Sequence, residues 1–147
     1  MKKIWLLLIT VVLLLLIACS KTIKYDVGKD SIVSYGDGTY QIMHHTVDGK
    51  TVKVLTNCAY NQCVMTNIEA YTRKNDFVYF IGRYHNQKAF CKLNIAHNLL
   101  SYCVEDNGEE FIMVYVNDML TDKQIEIYKS LDAFSEEDRS IFDSMLI

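Results

Sequence analysis

Short runs of alternating apolar and polar residues fill most of the chain after residue 38. Residues 39–47 and residues 50–56 alternate in this way on either side of Asp48-Gly49. An Asp-Gly pair between two such runs is typical of a β-hairpin. Residues 77–82 are apolar at every position, which predicts a strand covered on both faces in the centre of a sheet.

Four more runs carry the same strand-like pattern, at residues 64–73, 88–95, 99–105 and 110–116. Turn residues separate several of these runs: Asn75-Asp76, Ala96-His97-Asn98 and Asp106-Asn107-Gly108. Six or seven short strands joined by tight turns predict one antiparallel β-meander over residues 39–116. The polar residues 19–38 are predicted to form a tether and an entry loop, with room for one short strand at residues 32–34.

The period of the pattern changes after residue 117. Thr121 and Gln124 fit a capping box, and apolar residues then follow at near-helical spacing as far as Leu131. Ser135 fits a second N-cap, and the acids at residues 136–138 suit the positive end of a helix dipole. A last apolar stripe consists of Ile141, Phe142, Met145 and Leu146. We therefore predict one or two helices within residues 121–146, packed on the sheet, and an α+β fold.

The N-terminal segment has a different character. Met1-Lys2-Lys3 is followed by a mostly aliphatic run at residues 4–18, which ends at Leu16-Ile17-Ala18-Cys19. A basic start, a short apolar run and small residues before a cleavage point are typical of a secretory signal peptide. Leu16-Ile17-Ala18-Cys19 also resembles the lipobox of bacterial lipoproteins. That resemblance implies cleavage before Cys19 by signal peptidase II and attachment of diacylglycerol to its sulfur, often with acylation of the new amino group.

Two alternatives to the lipoprotein are an uncleaved transmembrane helix and a conventionally cleaved secreted protein. The apolar run is shorter than the roughly 17 residues that a membrane-spanning helix requires at minimum, and this disfavours the uncleaved transmembrane helix. The predicted organisation is a signal peptide at residues 1–18, a lipid-anchored tether at 19–38 and a single globular domain at 39–147. Within the domain, strands occupy residues 39–116 and helices occupy residues 121–146.

Charge is distributed unevenly along the predicted mature chain. Residues 19–104 contain 10 basic and 6 acidic residues, a net charge of +4, whereas residues 105–147 contain 3 and 12, a net charge of −9. Lys21, Lys24 and Lys29 lie near the predicted lipid, where an anionic membrane attracts basic side chains. The acidic end predicts a protein partner with a basic contact surface. That surface would contact Glu105, Asp106, Glu109, Glu110 and the helix acids. The alternative is that these acids only keep the helices soluble.

Four cysteines remain once Cys19 is assigned to lipid. Cys58 and Cys63 are close in sequence within a predicted loop, and in an oxidising compartment this favours a disulfide between them. Reduced buried thiols and a four-cysteine zinc site are the alternatives. Whether Cys91 and Cys103 can form a disulfide depends on the hairpin register. If they sit directly opposite each other, they can bond. If Cys91 opposes Val104, the two sulfurs lie on opposite faces, and burial of the apolar pairs favours this second register.

Few residues suggest catalysis. His44 and His45 are adjacent in a predicted strand, so their side chains point to opposite faces and cannot bind one metal ion together. The chain contains no Gly-x-Ser-x-Gly elbow, Walker motif or His-Glu-x-x-His motif. We therefore assign no catalytic or metal-binding residue and expect no cofactor and no nucleic-acid partner.

These patterns favour a small extracytoplasmic lipoprotein of the bacterial cell envelope. It is expected to contact the membrane through lipid on Cys19 and to bind a partner at the membrane surface without catalysis. An envelope enzyme whose site is assembled only in the fold is the alternative. The sequence does not distinguish the inner from the outer membrane.

Overall fold

The computed structural model describes residue 25 and residues 27–84, 86–105 and 125–147. Within these residues the strands are β1 (Ser31–Tyr35), β2 (Tyr40–Val47), β3 (Lys50–Asn57), β4 (Gln62–Met65), β5 (Asn67–Lys74), β6 (Phe77–Tyr84), β7 (Gln87–Asn94), β8 (Leu99–Val104) and β9 (Ile125–Tyr128). A short 3-10 helix, Leu131–Ala133, and the helix α1, Glu136–Met145, follow. The α+β class agrees with the structure, which is mostly β.

The strands form two sheets, and the prediction of one meander is wrong. The four-stranded sheet has the order β1-β2-β3-β4, and the five-stranded sheet has the order β5-β6-β7-β8-β9. All neighbours are antiparallel except β8 and β9, which run parallel. The short strand predicted at residues 32–34 is part of β1, so this part of the predicted entry loop belongs to the four-stranded sheet.

The break between the sheets lies inside the strand predicted at residues 64–73. Val64 and Met65 are both buried although they are adjacent, so the alternation fails at this point. Thr66 follows as a bend, and its backbone N–H and hydroxyl both donate to the carbonyl of Arg83, at 2.8 and 3.0 Å. These hydrogen bonds fix the chain as it leaves β4 for the edge of the other sheet.

Local turn chemistry accounts for the hairpins. Asp48 and Gly49 have φ angles of 49° and 75°, and positive values at both positions are those of a type I′ turn. Asn61, Asn75 and Asn98 also have positive φ in the turns after β3, β5 and β7. Asparagine tolerates this conformation better than most residues, because its short polar side chain hydrogen-bonds locally.

One hydrophobic core lies between the two sheets. It includes Tyr40, Ile42 and Leu55 from the four-stranded sheet and Val78, Phe80, Leu93 and Tyr102 from the five-stranded sheet. The Tyr102 hydroxyl donates to the carbonyl of Val64 at 3.1 Å and so joins the two layers. Gly82 permits close approach of β5 to β6, since a Cβ at this position would clash with the carbonyl oxygen of Asn67.

Strand β6 lies inside the five-stranded sheet, as predicted for residues 77–82. Val78 and Phe80 face the four-stranded sheet, whereas Tyr79 and Ile81 belong to a second core under the helix. That second core also contains Phe90, Cys103, Phe134 and Phe142. The described residues therefore form three layers: the four-stranded sheet, the five-stranded sheet and the C-terminal helix.

The first predicted helix is wrong where the structure describes it. Residues 125–128 form β9, which pairs in parallel with β8 through Leu100 and Ile125. Ile125 and Ile127 pack on the core between the sheets, whereas Tyr128 packs on the core under the helix, so the side chains alternate between two faces as in a strand. Over four residues this alternation is hard to separate from helical spacing. The strand predicted at residues 110–116 and the cap predicted at Thr121 lie outside the described residues.

The second predicted helix is confirmed as α1. The Ser135 side chain caps it by accepting a hydrogen bond from the backbone N–H of Asp138 at 3.1 Å. Phe142 is fully buried, as its place in the apolar stripe predicts. Leu146 is 50% exposed and lies beyond the end of the helix, so its predicted burial is wrong. None of the described helices is both long and apolar enough to cross a bilayer.

Candidate binding groove

A groove of about 460 Å³ lies on the outer face of the four-stranded sheet. Tyr40 and Ile42 point inward to the core, so alternation along β2 turns Met43, His45 and Val47 outward. Val54 and Thr56 oppose Met43 and Gln41 across the β2–β3 pair and share this face. Cys63 of β4 opposes Thr56 and completes the sheet floor.

Polar residues outside the sheet floor border the groove. Asp30 approaches from the segment before β1, and its carbonyl accepts a hydrogen bond from the backbone N–H of His44 at 2.8 Å. Asn61 and Thr66 border the groove from the two ends of β4. The site thus combines a largely apolar floor with polar edges, an arrangement typical of binding sites for small or extended ligands.

His45 and Cys63, which both line the groove, lie far apart. Cys63 lies beside Thr56, whereas His45 lies two strands away from Cys63, beside Val52. Thr56 and Val52 are four residues apart along β3, which is roughly 13 Å at about 3.3 Å per residue. This separation exceeds hydrogen-bond reach, so His45 cannot act as the base for the Cys63 thiol.

The Cys63 thiol is also poorly suited to act as a nucleophile. Burial raises its pKa, and the hydrogen bond from Cys63 Sγ to the Met65 carbonyl, at 3.3 Å, opposes this only in part. Reactive cysteines need a lowered pKa because the thiolate is the attacking species. Cys63 therefore contributes a small, weakly polar side chain to the floor.

The structure contradicts the four-cysteine zinc alternative. Cys91 lies in the core between the sheets, whereas Cys103 lies in the core under the helix. Two sulfurs on opposite faces of one sheet cannot bind the same ion. Among the described residues, no three His, Cys, Asp or Glu side chains are grouped closely enough to hold a metal ion.

The opposite-face prediction for Cys91 and Cys103 is confirmed, although the register behind it is wrong by two residues. Cys91 opposes Tyr102 rather than Val104. The turn begins one residue earlier than expected, at Ile95, and Asn94 Oδ1 accepts a hydrogen bond from the Ala96 N–H at 3.1 Å. A shift of two residues preserves the faces, because side chains alternate with a period of two.

The disulfide between Cys58 and Cys63 stays a prediction. Cys58 lies in the turn after β3 and Cys63 lies in β4; both are half-buried, and both carry thiols in this structure. Export into an oxidising compartment is expected to join them. Peptide mapping of the exported protein without reductant measures this directly, and free, alkylated thiols at both positions would contradict it.

A second, more polar cleft of about 380 Å³ lies among the turns at one end of the sheets. Asp37, Arg73, Asp76 and Asn98 border it. Burial alone would raise the pKa of Asp37, but hydrogen bonds from Thr39 and Asn98 outweigh burial and lower it. Asp37 is thus a fixed anion that ties the β1–β2 turn to the β7–β8 turn.

The acidic helix offers fewer free carboxylates than its sequence suggests. Glu137 pairs with Lys74 at 2.7 Å, and Asp132 pairs with Arg139 at 3.1 Å. Asp138 is buried, with Lys92 Nζ at 2.8 Å and the Tyr79 hydroxyl at 2.7 Å from its carboxylate. Asp138 is therefore structural. The basic protein partner stays a prediction that depends on the exposed acids, including Glu136 and Asp143.

Some of the remaining predicted positions lie within the described residues and others lie outside them. His44 is exposed on β2 and borders the groove, and His97 is exposed in the turn after β7. Cys19, His85, Asp106, Glu109 and Glu110 lie outside the described residues. The groove itself was not predicted, because three strands and the segment before β1 assemble it.

Comparison with family models, with curated proteins and with solved structures finds no match for this chain.

Proposed function

We propose that this protein is a lipid-anchored, non-catalytic binding module of the bacterial cell envelope, and that the groove is its binding site. The observation that carries the proposal is the groove, with its apolar floor of Met43, Val47 and Val54 and its polar edges. A sheet face with this character favours binding through shape and apolar contact.

The chemistry of the groove supports binding over catalysis. Perturbed pKa values and paired reactive groups mark most catalytic sites. Here the thiol of Cys63 is held protonated by burial, and the imidazole of His45 lies too far away to activate it.

The anchor supplies the membrane attachment. Each buried methylene contributes about 0.8 kcal/mol, so one acyl chain binds a bilayer marginally and two or three hold firmly. Tyr25, whose backbone N–H donates to the Asp37 carbonyl at 3.2 Å, lies six positions after Cys19. Fully extended, six positions span at most roughly 20 to 22 Å, so a lipidated Cys19 would keep the domain close to the membrane.

The change Cys19→Ala is expected to abolish lipid attachment and to leave unprocessed precursor. The thioether needs the cysteine sulfur, and the resemblance to the lipobox places cleavage directly before this residue. Radiolabelled palmitate in the producing bacterium measures attachment, and the mass of the protein measures cleavage. Cys58→Ala is the matched control and should label as the unchanged protein does. Palmitate entering the Cys19→Ala protein would refute the anchor.

A further inference from the structure

We propose that the end of the domain at which the chain joins the fold contacts the headgroups of the bilayer, so that the groove lies to the side of this contact. This entry end comprises the β1–β2, β5–β6 and β7–β8 turns, at residues 36–39, 75–76 and 95–98. The inference rests on the proposed function, because it needs the lipid on Cys19. It assigns the surface that meets the membrane and leaves the groove free for a partner.

Tyr25 fixes the point at which the chain joins the fold. Its backbone N–H donates to the carbonyl of Asp37 in the β1–β2 turn, at 3.2 Å. A Cβ at Gly38 would clash with the carbonyl oxygen of Tyr25, so the two backbones are in direct contact. The chain that leads back to Cys19 therefore leaves the fold from the entry end.

Hydrogen bonds hold the three turns of the entry end together. Asn98 in the β7–β8 turn donates its side-chain N–H to Asp37 Oδ1 at 3.2 Å. The backbone N–H of Ile95 donates to the carbonyl of Asp76 in the β5–β6 turn at 2.9 Å. Turns from both sheets thus form one surface beside the point where the tether is attached.

The length of the tether decides which end of the domain lies near the lipid. Cys19 is six positions before Tyr25, and six positions span at most roughly 20 to 22 Å. Strand β2 leads away from the entry end over eight residues, or roughly 26 Å at about 3.3 Å per residue, to the β2–β3 turn at residues 48–49. A lipidated Cys19 therefore holds the entry end close to the bilayer, whereas the β2–β3 turn lies a whole strand farther from the attachment point.

The polar cleft at the entry end carries charges of both signs. Arg73 is exposed, and its Nε donates to the carbonyl of Asn75 at 3.0 Å, which holds the guanidinium at the edge of the cleft. Asp37 and Asp76 border the same cleft with carboxylates. A guanidinium suits the phosphate of a phospholipid, and a carboxylate suits the ammonium of ethanolamine. Zwitterionic headgroups such as phosphatidylethanolamine therefore complement this end of the domain.

This orientation leaves the groove accessible from water. The strands of the four-stranded sheet run between the entry end and the opposite end, and the groove lies on the outer face of that sheet. With the entry end on the bilayer, this face stands beside the membrane and not against it. A partner in the aqueous compartment can therefore reach Met43, Val47 and Val54 without displacing lipid.

The test uses the full lipidated protein in vesicles of phosphatidylethanolamine and phosphatidylcholine. Cys58→Ser and Cys63→Ser remove the half-buried thiols, and lipid blocks Cys19. His97→Cys, exposed in the β7–β8 turn, then carries a fluorophore at the entry end. Lys50→Cys, exposed beside the β2–β3 turn, carries the same fluorophore at the opposite end as the matched control. Circular dichroism checks that each labelled protein keeps its fold.

A lipid with a nitroxide on its headgroup is expected to quench the fluorophore at residue 97 several-fold more than the fluorophore at residue 50. Aqueous iodide is expected to show the reverse order. Equal quenching by the labelled lipid at the two positions, or stronger quenching at residue 50, would overturn the inference. Protection of residue 97 from iodide without quenching by lipid would also overturn it, because a second copy of the chain would then cover the entry end.

Flotation of the vesicles tests the anchor separately. Protein that stays in the aqueous fraction lacks the anchor, and the proposed function and this inference then both fail. Protein that floats while residue 97 is quenched no more strongly than residue 50 keeps the anchor, and the membrane-facing entry end alone is then wrong.

Discussion

Ending the chain at Ala133 is expected to unfold the domain. The change removes Phe134 and Phe142, which are 3% and 0% exposed, and it removes all of α1. Phe142 packs edge-on against Tyr79 and Phe90, with ring centroids 5.5 and 5.3 Å apart. Loss of one buried phenylalanine side chain costs about 3–5 kcal/mol, and the stability of a whole domain is about 5–15 kcal/mol.

The damage extends into the sheet that the helix covers. Without α1, the buried side of the five-stranded sheet at Tyr79, Ile81 and Phe90 would face water. Thermal unfolding followed by circular dichroism measures the effect. A chain ending at Met145 is the matched control, since it loses only Leu146 and Ile147, both exposed. If the chain ending at Ala133 melts at the temperature of the full chain, the helix does not stabilise the sheet.

Much of the fold could be predicted because its hairpins are encoded locally. Asp48-Gly49 and Asn75-Asp76 mark turns by residue type alone, since their backbone conformations favour Gly, Asn and Asp. The apolar run beginning at Phe77 marked the covered strand β6. The cap at Ser135 and the spacing to Phe142 marked α1. In each case a few neighbouring residues determine the structure.

The division into two sheets and the identity of β9 could not be predicted, because distant partners decide them. Thr66 marks the division through hydrogen bonds to Arg83, 17 residues away. Residues 125–128 form a strand because they pair with the edge of β8. A segment of four residues is too short for its period to distinguish strand from helix.

The candidate site could not be predicted from the sequence for the same reason. Met43, Val54 and Cys63 come from three strands, and only their register places them on one outer face. Asp138 looks like any acid in the first turn of a helix. Its role comes from Lys92 and Tyr79, which are 46 and 59 residues away in sequence.

The change Asp138→Ala is expected to destabilise the domain by about 3 kcal/mol. It would leave the Lys92 ammonium, whose side chain is only 21% exposed, without its carboxylate, and removing one partner of a buried ion pair costs about 3–5 kcal/mol. The lower end applies because water still reaches Lys92. Urea unfolding at neutral pH measures the change. Glu137→Ala is the matched control: it also removes an acid from the first turn, but its pair with Lys74 is exposed and contributes at most about 1 kcal/mol.

The pH dependence of stability tests the same cluster independently. Burial alone would raise the pKa of Asp138, but hydrogen bonds from Lys92, Tyr79 and Ser135 outweigh burial and lower it below its ordinary value of 3.8. A carboxyl with a lower pKa in the folded state stabilises that state above its unfolded pKa, and this contribution is lost as the pH falls through the folded pKa. The unchanged protein should therefore lose stability more steeply below about pH 4 than the Asp138→Asn protein, which has no proton to take up at this position. Parallel stability curves for the two proteins over that range would show that these neighbours do not lower the pKa of Asp138 in the folded state.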